Sequence, residues 1–170
     1  MDKFEEYKLQ KIKYSYNLEK AGRLFEKARA VVVNDGKVLI LFNPKTNAYT
    51  VPGGGVDEGE TVEQAVKREA LEESGYQVEP VKKIWSNFYE VPMEFEGKKF
   101  ISHRVEYFYL CTLKNQNHEK ANGIEGEYEC KILPEWSDFE KLKNCGWKSE
   151  QIQALKNSIL NPIISRYSSK

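Results

Sequence analysis

The sequence is poor in several features that would have narrowed its chemistry at once. It holds three cysteines, Cys111, Cys130 and Cys145, odd in number and widely spaced. They form no CxxC pair and no disulfide framework, so they read as reduced, packed thiols, and a cytoplasmic setting is expected. Its two histidines stand alone: His103 reads as a structural residue of a strand, His118 as an exposed loop residue. Net charge is absent, because 26 basic side chains balance 26 acidic ones. Without a global basic field, neither long nucleic acid nor an anionic membrane is an expected partner. No apolar run approaches the length of a membrane span. The first twenty residues carry no apolar signal core, which argues against secretion. Repeats, low-complexity tracts and linkers are missing as well.

What is present is 170 residues, 40% hydrophobic and 31% charged, as suits one soluble domain over residues 1–170. Residues 1–27 read as an N-terminal extension of unassigned structure. In "ARAVVVNDGKVLILF", two apolar β-branched runs flank Asn34-Asp35-Gly36, a turn that demands positive φ and signals a hairpin. "NPKTNAYTVPGGG" reads as a loop, a short strand and a glycine-rich turn. The spacing predicts a helix over 62–74, with Thr61 as N-cap, Gln64 completing a capping box and Gly75 ending it left-handed. Strand-like runs follow in "VEPVKKIWSNFYEVP", "KFISHRVEYFYLCTL" and "EYECKIL", and then an amphipathic helix with Ile152, Leu155 and Ile159 on one side. Strands on both sides of a helix predict a mixed sheet covered by helices.

The central helix breaks its own pattern. At about 100° per residue, Val62, Ala65 and Val66 make one apolar face. Glu69 and Glu73 then fall on that face, with Glu72 at its edge and Leu71 opposite. A run of acids is ordinarily a solvated helix face, and Arg68 can pair with Glu72 four residues on. Acids in line with a core face are costly unless something pairs with them, and their repulsion adds to the cost. A hard divalent cation such as Mg²⁺ or Mn²⁺ would answer both problems. The preceding Gly53, Gly54 and Gly55 are not a Walker loop, since no Lys-Ser/Thr follows, and the spacing of an EF-hand is missing.

Residues 54–76 resemble the Nudix box: Gly, five residues, Glu, seven residues, then Arg-Glu-U-x-Glu-Glu-x-Gly-U, where U is a bulky aliphatic. Gly54, Glu60, Arg68, Glu69, Glu72, Glu73 and Gly75 occupy all the polar and glycine positions. The U positions hold Ala70 and Tyr76, a departure that concerns packing. The resemblance implies an α/β fold, the Nudix α/β/α sandwich with a mixed central sheet and the Nudix loop-helix. It also implies a MutT-like hydrolase that splits a pyrophosphate bond in a nucleoside diphosphate linked to another moiety. Glu69, Glu72 and Glu73 become metal-binding acids, with the Gly53 carbonyl a further ligand and Mg²⁺ or Mn²⁺ the cofactor. Arg68, with Glu60, orients loop and helix, and Gly54 and Gly75 shape the box. Glu125 or Glu127 is a candidate to complete the metal shell. Which glutamate is the general base stays open.

A small nucleotide such as a (d)NTP is the expected substrate. ADP-ribose or a dinucleotide polyphosphate is the alternative, and Pro92 lies near where the family associates a proline with ADP-ribose, at an offset that is only approximate. A domain that senses nucleotides or binds a partner without turnover is the reading from another class. Costly clustered acids argue against it. Tyr49, Trp85, Phe88 and Tyr89 could stack a base, although core packing explains most of them better. Homodimerisation is left open.

Overall fold

The computed structural model describes residues 24–95, 97–115 and 133–160. Of the expected extension 1–27, residues 1–23 lie outside the described residues and 25–27 belong to the first strand; Glu125, Glu127, Cys130 and His118 also lie outside, as does the expected strand "EYECKIL" apart from Leu133.

Among the described residues, seven strands form one sheet. The first hairpin joins β1 (Phe25–Asn34) to β2 (Lys37–Asn43), with Val33 opposite Val38. Its turn puts Asp35 at φ 48° and Gly36 at φ 73°, the two positive values that a tight primed turn requires. Beyond the turn the two strands diverge. Into the gap comes β4 (Gly53–Gly55), which pairs with Lys27–Arg29 of β1. The expected glycine-rich turn is therefore a strand, because the backbone of Ala28 and Arg29 lies too close for any side chain at Gly53. A Cβ there would stand 2.1 Å from the Ala28 carbonyl oxygen.

The outer strand β3 (Ala48–Thr50) pairs with β2, as does β7 (Leu133–Ser137). On the other side β6 (Lys98–Leu113) runs parallel to β1, and β5 (Val78–Phe95) closes the sheet antiparallel to β6. One parallel pairing in an otherwise antiparallel sheet makes it mixed. Alternation along the strands sends Ala28, Ala30, Val32 and Leu39 to one face and Val31, Val38, Ile40 and Phe108 to the other. The first face is covered by α1 (Val62–Ser74) through Ala65, Val66 and Ala70. The second is covered by Leu142 of a 3₁₀ turn (Phe139–Cys145), by Trp147, and by Ile152 and Leu155 of α2 (Ser149–Leu160). The layers are α/β/α.

His103 stands in β6 as expected: its Nδ1 lies 3.2 Å from the Glu90 carboxylate, and its ring stacks on Phe88 at 6.1 Å. Phe88 is itself exposed, on strand β5 at the end of the sheet order. Leu71, opposite the apolar stripe of α1, is half-buried. The remaining thiols do pack: burial pushes Cys111 up to about 12 and Cys145 to about 11. No helix of the described residues is long and apolar enough to cross a membrane.

Candidate active site

The site is built where β4 meets α1. The helix starts cleanly because its first N–H groups are satisfied locally. Gln64 N–H donates to Thr61 Oγ1 at 3.2 Å, and Thr61 N–H donates to Gln64 Oε1 at 2.8 Å. It stops at Gly75, which sits at φ 75° and donates its N–H to the Leu71 carbonyl. Between the caps, fully buried Ala65 and Ala70 face fully buried Ala28 and Ala30. Small residues on both surfaces let the helix lie close to the sheet, which explains why Ala70 replaces a bulky aliphatic. Tyr76 spreads beside this contact. Its ring meets Trp136 edge-on at 5.4 Å and its hydroxyl accepts from Trp136 Nε1 at 3.1 Å.

Close packing brings the carboxylates onto the glycine strand. Gly53 N–H donates to Glu73 Oε2 at 2.8 Å. Glu69 lies against Gly54 so closely that a Cβ at that position would fall 2.3 Å from its Oε1. Arg68 ties the loop to the helix. Its Nε and Nη2 bind the two oxygens of Glu60 at 3.0 and 2.9 Å, and Nη2 also reaches the Gly55 carbonyl at 2.9 Å. Its Nη1 binds Glu69 at 2.8 Å and Glu72 at 3.3 Å. Glu60 in turn accepts from Asp57 N–H at 3.1 Å.

Electrostatics separate these acids. The bidentate hydrogen bond from Arg68 holds Glu60 below the usual carboxylate range. Burial raises Glu69 despite its contact with Arg68. Burial raises Glu73 most, to about 7, against the pull of Gly53 N–H and with Glu69 adding repulsion. Arg68 is held firmly charged, mainly by Glu60. One guanidinium thus serves Glu60, Glu69 and Glu72, while Glu73 accepts from a backbone N–H and feels Arg29 through space. The array keeps an excess of negative charge where solvent is scarce.

Glu60, Arg68, Glu69, Glu72, Glu73, Gly53 and Gly54 are thus brought within one small region. In this arrangement no three His, Cys, Asp or Glu residues converge on a common point among the described residues, since Arg68 draws Glu69 and Glu72 while Glu73 turns to Gly53. In kind, the donors suit a hard divalent cation. They are carboxylates and a carbonyl, and burial drives Glu69 and Glu73 toward protonation even though Arg68 and Arg29 pull the other way.

Sequence reasoning missed Arg29 and Glu106. Arg29 donates from Nη1 to the Gly53 carbonyl at 2.9 Å, and from Nε and Nη2 to Glu106 Oε1 at 3.2 and 2.8 Å. The signal was available. In "ARAVVV" and "VEYFYL", a charge occupies a strand position whose neighbours two residues on, Val31 and Phe108, are core. Opposite charges interrupting the same face of adjacent strands mark a pair.

A model of the NUDIX domain matches residues 24–156. The chain belongs to the Nudix family. Among Nudix relatives, it is 31% identical over 115 residues to an oxidized purine nucleoside triphosphate hydrolase of Danio rerio, covering 66% of this chain and 65% of that protein. It is 39% identical over 87 residues to the NAD-capped RNA hydrolase NudC of Vibrio atlanticus (strain LGP32), covering 50% of this chain and 31% of that protein. The chain therefore spans less than two-thirds of the length of these relatives. A Nudix hydrolase structure from Nitrosomonas europaea superposes with a TM-score of 0.55 at 17% identity, over 82% of this chain and 90% of that one, which establishes the shared Nudix fold.

Proposed function

We propose that this Nudix protein is a divalent-metal-dependent pyrophosphohydrolase. It cleaves a phosphoanhydride bond in a nucleoside diphosphate linked to a further group, a small nucleotide such as a (d)NTP. The observation that carries the reading is the Glu73–Gly53 contact beside the bare Gly54 surface, with Arg68 fixing the rest of the acids. In this reading Glu69, Glu72, Glu73 and the Gly53 carbonyl hold Mg²⁺ or Mn²⁺. The bound cation would screen the polyanionic diphosphate, polarise a phosphoryl oxygen and lower the pKa of water.

The chain's own groups do the remaining work. Arg68 keeps helix and glycine strand in fixed register through Glu60 and Gly55. Glycine at 53 and 54 leaves the backbone open to a phosphate chain. A glutamate takes the proton of the attacking water. Glu73 and Glu69 are the candidates, because burial raises both toward the working pH, where general bases act best. The relatives' names include both a nucleoside triphosphate hydrolase and a capped-RNA hydrolase. The balanced charge of this chain favours the small substrate, since a long RNA needs many phosphate contacts.

The test is a panel of (d)NTPs, ADP-ribose and dinucleotide polyphosphates with Mg²⁺ in ¹⁸O-water, with products identified by mass. A triphosphate is expected to give monophosphate and pyrophosphate, with label in one product. Full turnover in excess chelator, or orthophosphate as the sole primary product from every nucleotide, removes the proposal. Binding without turnover of any member would leave the sensing domain.

A further inference from the structure

Among the described residues β5 pairs only with β6, so its outer side is an open sheet edge. At 18 residues it is far longer than an ordinary strand of about five or six. A long unpaired edge is a template for another chain. Prolines set its limits: Pro80 and Pro92 have no N–H to give, so the stretch free to pair is 81–91. Nor is this edge purely polar, since Val81 is 58% exposed and Phe88 64%.

The edge is complementary to itself. Lys82 and Lys83 stand toward one end and Glu90 toward the other. Two bulges, where two residues of β5 stand against one of β6, put Val81 and Ile84 out of register. Counted outward from Asn87, with the bulged residues passed over, Ser86 falls opposite Phe88, Lys83 opposite Glu90 and Pro80 opposite Pro92. Residues that meet across an antiparallel pairing must share a face. These do: Lys83, Ser86, Phe88 and Glu90 are registered with Tyr109, Tyr107, Val105 and His103, alternate residues of β6. Both charges also stay within reach of solvent. Lys83 is exposed, with Nζ 5.4 Å above the Tyr107 ring, and Glu90 keeps its side chain 56% exposed beside His103.

We propose that β5 is the interface of a homodimer, in which two copies of the chain join antiparallel along this edge about a two-fold axis at Asn87. The pairing satisfies both backbone edges and makes two Lys83–Glu90 contacts. It sets Phe88 diagonally across from the partner's Phe88, a spacing that aromatic side chains can bridge. Lysines, prolines and bulges on an edge ordinarily keep other chains off. Placed symmetrically about one residue, they admit one register, and a two-fold pairing uses up the edge so that no third chain adds to it. The sheet order places β6 and β1 between β5 and β4, so the glycine strand and its acids lie away from the interface. The dimer goes beyond the pyrophosphohydrolase reading and does not depend on it.

The test is sedimentation velocity on the full chain, with protein up to about 0.1 mM so that a weak dimer is still seen. Lys83→Glu and Glu90→Lys each place like charges at both contacts. Mixed in equal amounts, the two variants form a heterodimer whose contacts are both attractive again. The wild type is expected to dimerise, less tightly as salt rises. Each variant alone should have a dissociation constant higher by about tenfold or more. The mixture should regain the wild-type value, and so should the double variant Lys83→Glu/Glu90→Lys. Both side chains are exposed, so the melting temperature of the monomer should hold, and the double variant keeps the test open should one single variant fold poorly. A monomeric wild type, single variants that dimerise as well as the wild type, or a mixture and double variant that stay weak overturn the interface.

Discussion

The two faces of the sheet are packed in opposite ways. Under α1 the residues are small: Ala28 and Ala30 meet Ala65 and Ala70. Under the 3₁₀ turn and α2 they are large: Ile40, Phe108, Leu142, Trp147, Ile152 and Leu155. Small residues draw the helix down until Glu69 and Glu73 reach the glycine strand. Large ones hold the second layer away and leave a cleft beside the aromatic rings. One face therefore trades buried apolar area for proximity, and the other supplies most of the apolar burial. Stability and chemistry should accordingly respond to different substitutions.

Leu155→Ala tests the apolar face and should have the largest effect on stability. Leu155 is 1% exposed, and removing it should cost about 2–5 kcal/mol. A urea melt measures this, and kcat in native buffer should fall much less than stability does. A loss under 1 kcal/mol would mean that this face is not the main source of stability.

Glu73→Gln tests the other face. We expect kcat to drop by roughly a hundredfold or more, the scale of a lost metal ligand or general base. The melting temperature should hold or rise, since a buried carboxylate is replaced by a neutral amide. A near-normal rate with an unchanged melt would make Glu73 a plain structural acid.

The same residue sets a pH dependence in the metal-free protein. Glu73 titrates at about 7 in the folded chain against 4.5 when unperturbed. Its folded pKa is raised, so protonation stabilises the fold. That stabilisation is complete below 4.5 and is lost as pH rises through 7. Melts in EDTA should therefore show Glu73 opposing stability above neutrality, and Glu73→Gln should flatten the wild-type slope between pH 5 and 8. Divalent metal should raise the melting temperature most at the alkaline end. Identical slopes for the two proteins would contradict the burial argument.

Ala70→Val sharpens the comparison further. Ala70 is 0% exposed, and overpacking there should cost about 1–3 kcal/mol. Because it pushes α1 off the sheet, kcat should fall with stability, unlike Leu155→Ala. The smallest effect is expected from Thr61→Ala. It removes the cap on Gln64 N–H and should cost about 1 kcal/mol by thermal melt, with kcat nearly intact.

The central helix was the most legible element. Its caps, Thr61 with Gln64 and Gly75, act through hydrogen bonds a few residues apart, so the sequence alone places them. The first hairpin was equally local, because Asp35 and Gly36 carry the turn themselves. The glycine run was harder. Three glycines look like a turn until the Ala28 backbone is seen lying where a Cβ would be. His103 falls in a strand as its local pattern suggests, but its partners Glu90 and Phe88 come from the neighbouring strand β5.

Short-range rules determined where the acids stand on the helix and where the helix starts and stops. The seven box positions, 54 to 75, were fixed by spacing alone and sufficed to place the chain in its family. Tertiary structure alone decided what those acids meet. The Arg29–Glu106 pair joins residues 77 apart in sequence, across a parallel pairing that no local pattern encodes. Residues 20 apart, Gly53 and Glu73, touch because alanines on two surfaces permit the approach. The reason is physical: caps and turns are satisfied within one segment, whereas a buried carboxylate takes its pKa and its partners from whatever the packed layers bring beside it.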